Sequence, residues 1–260
     1  MKSTPLCQAL AVTALCTSSW TSAVTTMADL HLADVSHGWG GELDLSLSGS
    51  GGNTVERSVE AGARLSHGGE AATYHLLGSY AYGSGDGVAD TDKAFVHLRV
   101  LKPWQSAPEW QWDTYGQWQQ NRFTRLGSRE LLGLGVRHRD PSSPAETPST
   151  AGGLGAFYER EQLDATGTEP EQKTHTWRGN LYAVVRHRFG QGLSLSSGSY
   201  LQPALDDLED VRLLQHLSVS VPMTQALELV MDLVVSHDSA PPAKVDHTDW
   251  EYLTRLRYRF

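Results

Sequence analysis

The sequence predicts an all-β chain: a transmembrane, antiparallel, up-and-down β-barrel of about twelve strands. Three observations lead there. In the C-terminal stretch 249–260, Trp250, Tyr252, Leu256, Tyr258 and Phe260 fall on one face of a strand, and Glu251, Arg255, Arg257 and Arg259 fall on the other. A strand with aromatics at both ends of its apolar face and charge on its second face separates lipid from a wet lumen. The same period-2 pattern recurs along the chain with turn residues between the segments. No apolar run reaches the roughly 18 residues needed to span a bilayer as a helix.

The N-terminus reads as an export signal over residues 1–28. Lys2 precedes a short apolar stretch, LCQALAVTAL, and small residues then offer cleavage after Ala23 or after Ala28. Cys7 and Cys16 both lie inside this segment, and Leu15 occupies a place where lipid attachment at Cys16 would want a small residue. The mature protein is therefore predicted to have neither a lipid anchor nor a disulfide. A short periplasmic segment, 29–38, precedes the barrel at 39–260. The destination is the outer membrane of a Gram-negative bacterium.

The segments follow in order. Leu43, Leu45 and Leu47 alternate with Glu42, Asp44 and Ser46, and the next segment sets Val59, Ala61, Ala63 and Leu65 against Glu60 and Arg64. Tyr74, Leu76, Tyr80 and Tyr82 form a third apolar face. A Gly/Asp-rich loop is expected at 83–92, and then Ala94, Val96, Leu98 and Val100 oppose Lys93, His97 and Arg99. The fifth carries Trp110, Trp112 and Trp118 against Gln111, Asp113, Gln117 and Gln119. The sixth carries Leu132, Leu134 and Val136 against Gly133, Gly135, Arg137 and Arg139.

Residues 140–152 are rich in Pro, Ser and Thr and read as a break. A short seventh strand is expected at about 154–161 and an eighth at about 177–188, with Leu181, Ala183 and Val185 facing lipid. Strands at about 193–201, 211–221, 227–236 and the terminal one complete the set. If the first strand runs outward, the odd-to-even connections are extracellular and should be long. Segments 83–92, 163–175, 202–210 and 238–248 obey, and 140–152 is the exception. A soluble β-barrel or sandwich is the competing architecture, but about a dozen apolar stripes would enclose a lumen too wide to pack. Arg57, His138, Arg160, His187 and Gln215 interrupt the apolar face; only Gln215 lies away from a strand end.

Several motifs resemble a known family. They are Gly51-Gly52-Asn53-Thr54, the stretch Gln120-Asn121-Arg122-Phe123 through Arg129 to Gly135, Tyr200-Leu201-Gln202-Pro203, and Asp238-Ser239-Ala240-Pro241-Pro242. Their order and spacing are similar to the outer-membrane proteins catalogued as domain of unknown function 481, also called salt-induced outer-membrane proteins. The resemblance implies a barrel and an outer-membrane address, with no catalytic residue and no substrate. Leu256, Tyr258 and the terminal Phe260 are similar to the signal recognised by the barrel-assembly machinery.

The residues of functional interest are the charges predicted to face the lumen. They include Arg64, Lys93, Arg99, Arg137, Arg178, Arg186, Arg212, Arg255 and Arg257 among the cations, and Glu42, Asp44, Glu60, Asp113, Glu159, Glu228, Asp232 and Glu251 among the anions. Near-balance of the two signs favours a plugged barrel with a structural or envelope-stress role. The alternative is a narrow pore in which arginines guide small anionic solutes. A third reading is a lipid hydrolase built on Ser236, His237, Asp238 and His247; adjacent strand residues point to opposite faces, and no Gly-x-Ser-x-Gly elbow exists. No enzyme activity is expected.

The acidic runs Asp86/Asp90/Asp92 and Asp206/Asp207/Glu209/Asp210 lack the spacing of a calcium loop and read as solvated charge. Gly133-Leu134-Gly135 and Gly152-Gly153-Leu154-Gly155 have no following helix and so are not dinucleotide motifs. No metal or cofactor is predicted. The net charge of −9 excludes a general nucleic-acid binder. The expected partners are outer-membrane lipid, lipopolysaccharide and, during biogenesis, the assembly machinery.

Overall fold

Alternation at every second residue becomes, in the computed structural model, an antiparallel β-barrel closed on itself. The structure describes residues 37–49, 56–140, 148–165, 167, 169–190, 192–241 and 246–260. The export signal, both candidate cleavage points, most of segment 29–38, the Gly51-Gly52-Asn53-Thr54 motif and Pro242 lie outside them. The strands are β1 (Gly38–Gly49), β2 (Glu56–Gly68), β3 (Thr73–Gly85), β4 (Val88–Pro103), β5 (Trp110–Asn121) and β6 (Leu126–Arg139). They continue as β7 (Ser149–Leu163), β8 (Gln172–Arg188), β9 (Ser194–Pro203), β10 (Val211–Pro222), β11 (Leu227–Asp238) and β12 (Thr248–Arg259). Each pairs with its sequence neighbour, and β12 returns to β1.

Closure is made by the terminal residues. Leu43 pairs with Tyr258 and Leu45 with Leu256. Beyond this ladder, Gly41 N–H donates to Phe260 O and Phe260 N–H donates to Gly41 O, both at 3.0 Å. The Phe260 ring lies where a side chain on Gly41 would stand, so a Cβ there would overlap it. A glycine opposite the final aromatic lets that ring fold flat over the seam.

The strand number and the alternation match the sequence expectation, but several boundaries do not. The loop expected at 83–92 is a two-residue hairpin: β3 runs to Gly85, β4 starts at Val88, and Asp86 (φ 49°) and Gly87 (φ 80°) make the turn. Asp-Gly with both residues at positive φ is the turn whose twist matches a hairpin, and the glycines around it disguised the strands as a loop. The break at 140–152 ends sooner, because β7 begins at Ser149 and pairs with β8 from Ser149↔Arg186 onward. Small residues in Thr150-Ala151-Gly152-Gly153 hid this part of the strand. At its other end β7 continues to Leu163, and β8 starts at Gln172, so the loop between them is shorter than the expected 163–175.

The outer face is apolar and banded. Trp39, Tyr74, Trp110, Trp112, Phe189 and Phe260 stand exposed toward the end that holds the described chain termini, which we call the terminal end. Tyr80, Tyr82, Tyr158, Trp177, Trp250 and Tyr252 stand exposed toward the far end. Leucines and valines such as Leu45, Leu76, Leu98, Leu132 and Leu134 fill the belt between, which is the pattern of a membrane-facing barrel. Gln215, the polar residue within this belt, is satisfied locally: Ser199 Oγ donates to its Oε1 at 2.5 Å, and its Nε2 donates to Ser197 Oγ at 2.9 Å. Internal partners reduce the cost of a polar amide facing hydrocarbon.

Candidate functional site

Inside the barrel the alternation delivers charge, amide and aromatic side chains into the lumen. At the waist, Arg99 (β4) forms a two-point ion pair with Asp113 on the neighbouring β5; both side chains are about 2% exposed. Tyr182, reaching from β8, accepts a hydrogen bond from Arg99 Nη2 at 3.0 Å and donates one to Asp113 Oδ2 at 2.9 Å. The Arg99 guanidinium also lies 5.5 Å from the centre of that ring, within range of a cation–π contact. Phe95, Phe157, His75, His97 and Arg137 are buried around it. A water-filled pore would leave such side chains wet, but here they are closed to water.

Two tyrosines can lie across the lumen because glycine stands beneath each. A Cβ at Gly133 would overlap the Tyr115 ring, and one at Gly153 would overlap the Tyr182 ring. The glycines of the Gly-x-Gly stretches thus make room for these inward rings.

Toward the far end, Glu159 (β7) is the hub of a second network. Arg212 Nη1 meets its carboxylate at 2.9 and 3.0 Å, Arg178 Nε donates at 3.3 Å, and Arg129 also pairs with it. Arg212 extends to Asp238 at 2.9 Å and Glu161 at 3.3 Å, and Arg178 reaches Asp210 at 2.7 Å. A buried carboxylate is tolerable only when its lone pairs are met by cations and donors in this way. Toward the terminal end, Arg255 pairs with Asp232 at 2.6 Å, and Asp232 also contacts His216 Nε2 at 2.9 Å. Arg257 meets Asp44 at 2.9 Å and Glu42 at 3.5 Å; Arg64 pairs with Glu42; Arg259 reaches Glu42 at 3.0 Å and Glu228 at 2.5 Å. Nearer the far end, Lys93 on β4 reaches across the lumen to Glu251 on β12 at 3.0 Å.

All the lumen-facing candidates read from the sequence sit on the inner face. Arg99, Asp113, Arg137, Asp232, Arg255 and Arg257 are buried. Arg64, Lys93, Arg186, Arg212, Glu228 and Glu251 are half-buried on that face. The structure gathers Arg64, Arg99, Asp113, Arg212, Glu228, Asp232, Arg255 and Arg257 into these three pairing groups, with Lys93 and Glu251 as a separate pair. Glu159 and Arg178, expected to face the lumen, prove central to the far-end network. The inward aromatics Phe95, Tyr115, Phe157, Tyr182 and Tyr200 were not expected from the sequence. Their parity carried the signal: Tyr182 lies between outward Leu181 and Ala183, and Tyr115 between outward Thr114 and Gly116.

The Ser236–His247 constellation does not assemble into a relay. His237 Nδ1 contacts Thr248 Oγ1 at 2.8 Å, His247 Nδ1 contacts the Asp238 backbone oxygen at 3.0 Å, and the Asp238 carboxylate is bound to Arg212. In the acidic runs, Asp92 pairs with Arg122 at 3.2 Å and Asp210 with Arg178. Among the described residues, no group of three or more His, Cys, Asp or Glu gathers as a metal would require. Above the waist, on the far-end side, lies a cavity of about 140 Å³ with Arg99 in its lining. A smaller cavity of about 30 Å³ lies among Glu42, Asp44, Glu60, Arg64, Arg255 and Arg257.

Comparison with known proteins agrees with this architecture. The translocator domain of the autotransporter NalP from Neisseria meningitidis superposes with a TM-score of 0.52 at 11% identity, covering 90% of this chain and 92% of that one. An outer-membrane channel from Pseudomonas putida F1 superposes with a TM-score of 0.50 at 13% identity, covering 88% of this chain and 97% of that one. At such identities the likeness is one of fold: a closed antiparallel barrel of the outer-membrane type. No curated protein matches the chain in sequence. The family model described as protein of unknown function, DUF481, matches residues 43–260, and the chain belongs to that family.

Proposed function

We propose that the protein is a closed outer-membrane barrel with a structural, envelope-supporting role, non-catalytic and non-conducting at rest. The observation that carries this reading is the Arg99–Asp113–Tyr182 unit. An ion pair about 2% exposed, tied by hydrogen bonds to a residue on a strand across the barrel, supports a lumen sealed at its waist. The long loop at β9–β10 and the short turns at β2–β3 and β10–β11 support placing the far end outside the cell and the terminal end in the periplasm. The banded outer face supports contact with lipid and, at the far end, with lipopolysaccharide. The pore reading loses support here, because Arg99, Arg212, Arg255 and Arg257, which would guide an anion, pair with carboxylates.

Liposome swelling tests the reading. Vesicles carrying the folded protein should swell no faster than empty vesicles in isotonic glucose, gluconate or glycine. Swelling that grows with the amount of protein would overturn it.

A further inference from the structure

We propose that the far-end cavity is a binding site for a single neutral sugar ring, a hexose or N-acetylhexosamine unit. This goes beyond the closed-barrel reading, which needs the waist sealed but assigns nothing to the space above it. The cavity volume of about 140 Å³ would hold roughly five to ten waters, a size suited to one pyranose ring with its hydroxyls.

The walls suit that chemistry. The lining includes the planar amides Gln117, Gln119, Asn180 and Gln202 beside the rings of Tyr115 and Phe157. The amides form internal chains that leave defined capacity unspent. His97 Nδ1 and Gln117 Oε1 are 3.2 Å apart, and Gln117 Nε2 donates to Gln119 Oε1 at 3.0 Å. Gln119 is 1% exposed, and its Nε2 has no hydrogen-bond partner. On the other wall Gln202 Nε2 donates to Asn180 Oδ1 at 3.2 Å, and Asn180 Nδ2 donates to the Tyr115 hydroxyl at 3.0 Å. Gln202 Oε1 is left to accept and the Tyr115 hydroxyl hydrogen to donate.

A buried amide donor without a partner costs stability unless something meets it. A ligand whose hydroxyls both donate and accept answers these groups. Charge selects the neutral class. Arg129 and Arg212 border the cavity, but each is held by carboxylates: Arg129 by Glu159, and Arg212 by Glu159, Glu161 and Asp238. An anion would have to displace one of these. The polar groups stand on β5, β8 and β9, so the site is preorganised by strands.

Saturation-transfer NMR on the folded protein in a detergent without a sugar headgroup tests the site. Its probes are D-glucose, D-galactose, N-acetyl-D-glucosamine, their p-nitrophenyl glycosides and D-glucuronate. At least one neutral sugar should receive saturation, and Gln119→Leu, folded by heat-modifiable gel mobility, should weaken that binding about tenfold or more. Gln202→Leu serves the same purpose if Gln119→Leu does not fold. Binding of the glycosides as well would identify the end of a glycan as the ligand; binding of free sugars alone would identify a free solute. No transfer to any neutral sugar, transfer to glucuronate alone, or unchanged binding in the folded variants would overturn the proposal.

Discussion

Arg99 and Asp113 place opposite charges in a space almost closed to water, and their cost is bearable only as a pair. Removing one partner leaves the other buried without its counter-charge, a loss of about 3–5 kcal/mol, whereas exchanging both for apolar residues is often near neutral. Asp113→Ala should therefore lower the unfolding free energy of the vesicle-embedded barrel by roughly that much, read by urea titration of tryptophan fluorescence. The double variant Arg99→Met with Asp113→Leu should recover most of the loss. Equal stabilities for Asp113→Ala and the parent would mean that the pair is wetted and that the waist is not sealed there. The inward position of both residues was legible from parity alone, because Leu98 and Val100 flank one and Trp112 and Thr114 flank the other. Their partnership with Tyr182 was not. It joins strands distant in sequence, and no local pattern encodes which inward side chains meet across a lumen.

At the level of the strand, the seam between β1 and β12 concentrates the consequences of single residues. Gly41 lies under Phe260, while a side chain at the adjacent Gly40 would meet nothing within 4 Å. Gly41→Val should reduce the fraction of heat-modifiable, folded protein, with an overpacking cost of about 1–3 kcal/mol, and Gly40→Val should not. A Gly41→Val barrel that folds as well as Gly40→Val would show that the ring does not need that space. The same logic applies to the inner wall: Gly133→Leu should displace Tyr115 and lower stability by a similar amount of about 1–3 kcal/mol, measured by urea titration. The strands themselves were largely legible, since alternation marks both faces wherever the outward residues are large. It failed where outward or turn-flanking residues are small, at Thr150-Ala151-Gly152 and around Asp86-Gly87, because glycine and alanine mark neither face.

For the whole molecule, strand number and closure were legible because lipid demands an apolar residue at every second position and leaves no edge unpaired. Whether the lumen is open was not legible. Near-equal numbers of inward acids and bases are compatible with either state, and only the three-dimensional pairing separates them: Arg255 is spent on Asp232, Arg257 on Asp44 and Glu42, and Arg212 on Glu159. On the proposed reading this pairing seals the barrel. Planar-bilayer recording tests it most directly, comparing the parent with a variant in which Arg99, Asp113 and Tyr182 are all alanine. The parent should carry no steady current at moderate voltage, and the variant should open a measurable conductance. A steady, ion-selective current through the parent protein would contradict a sealed waist.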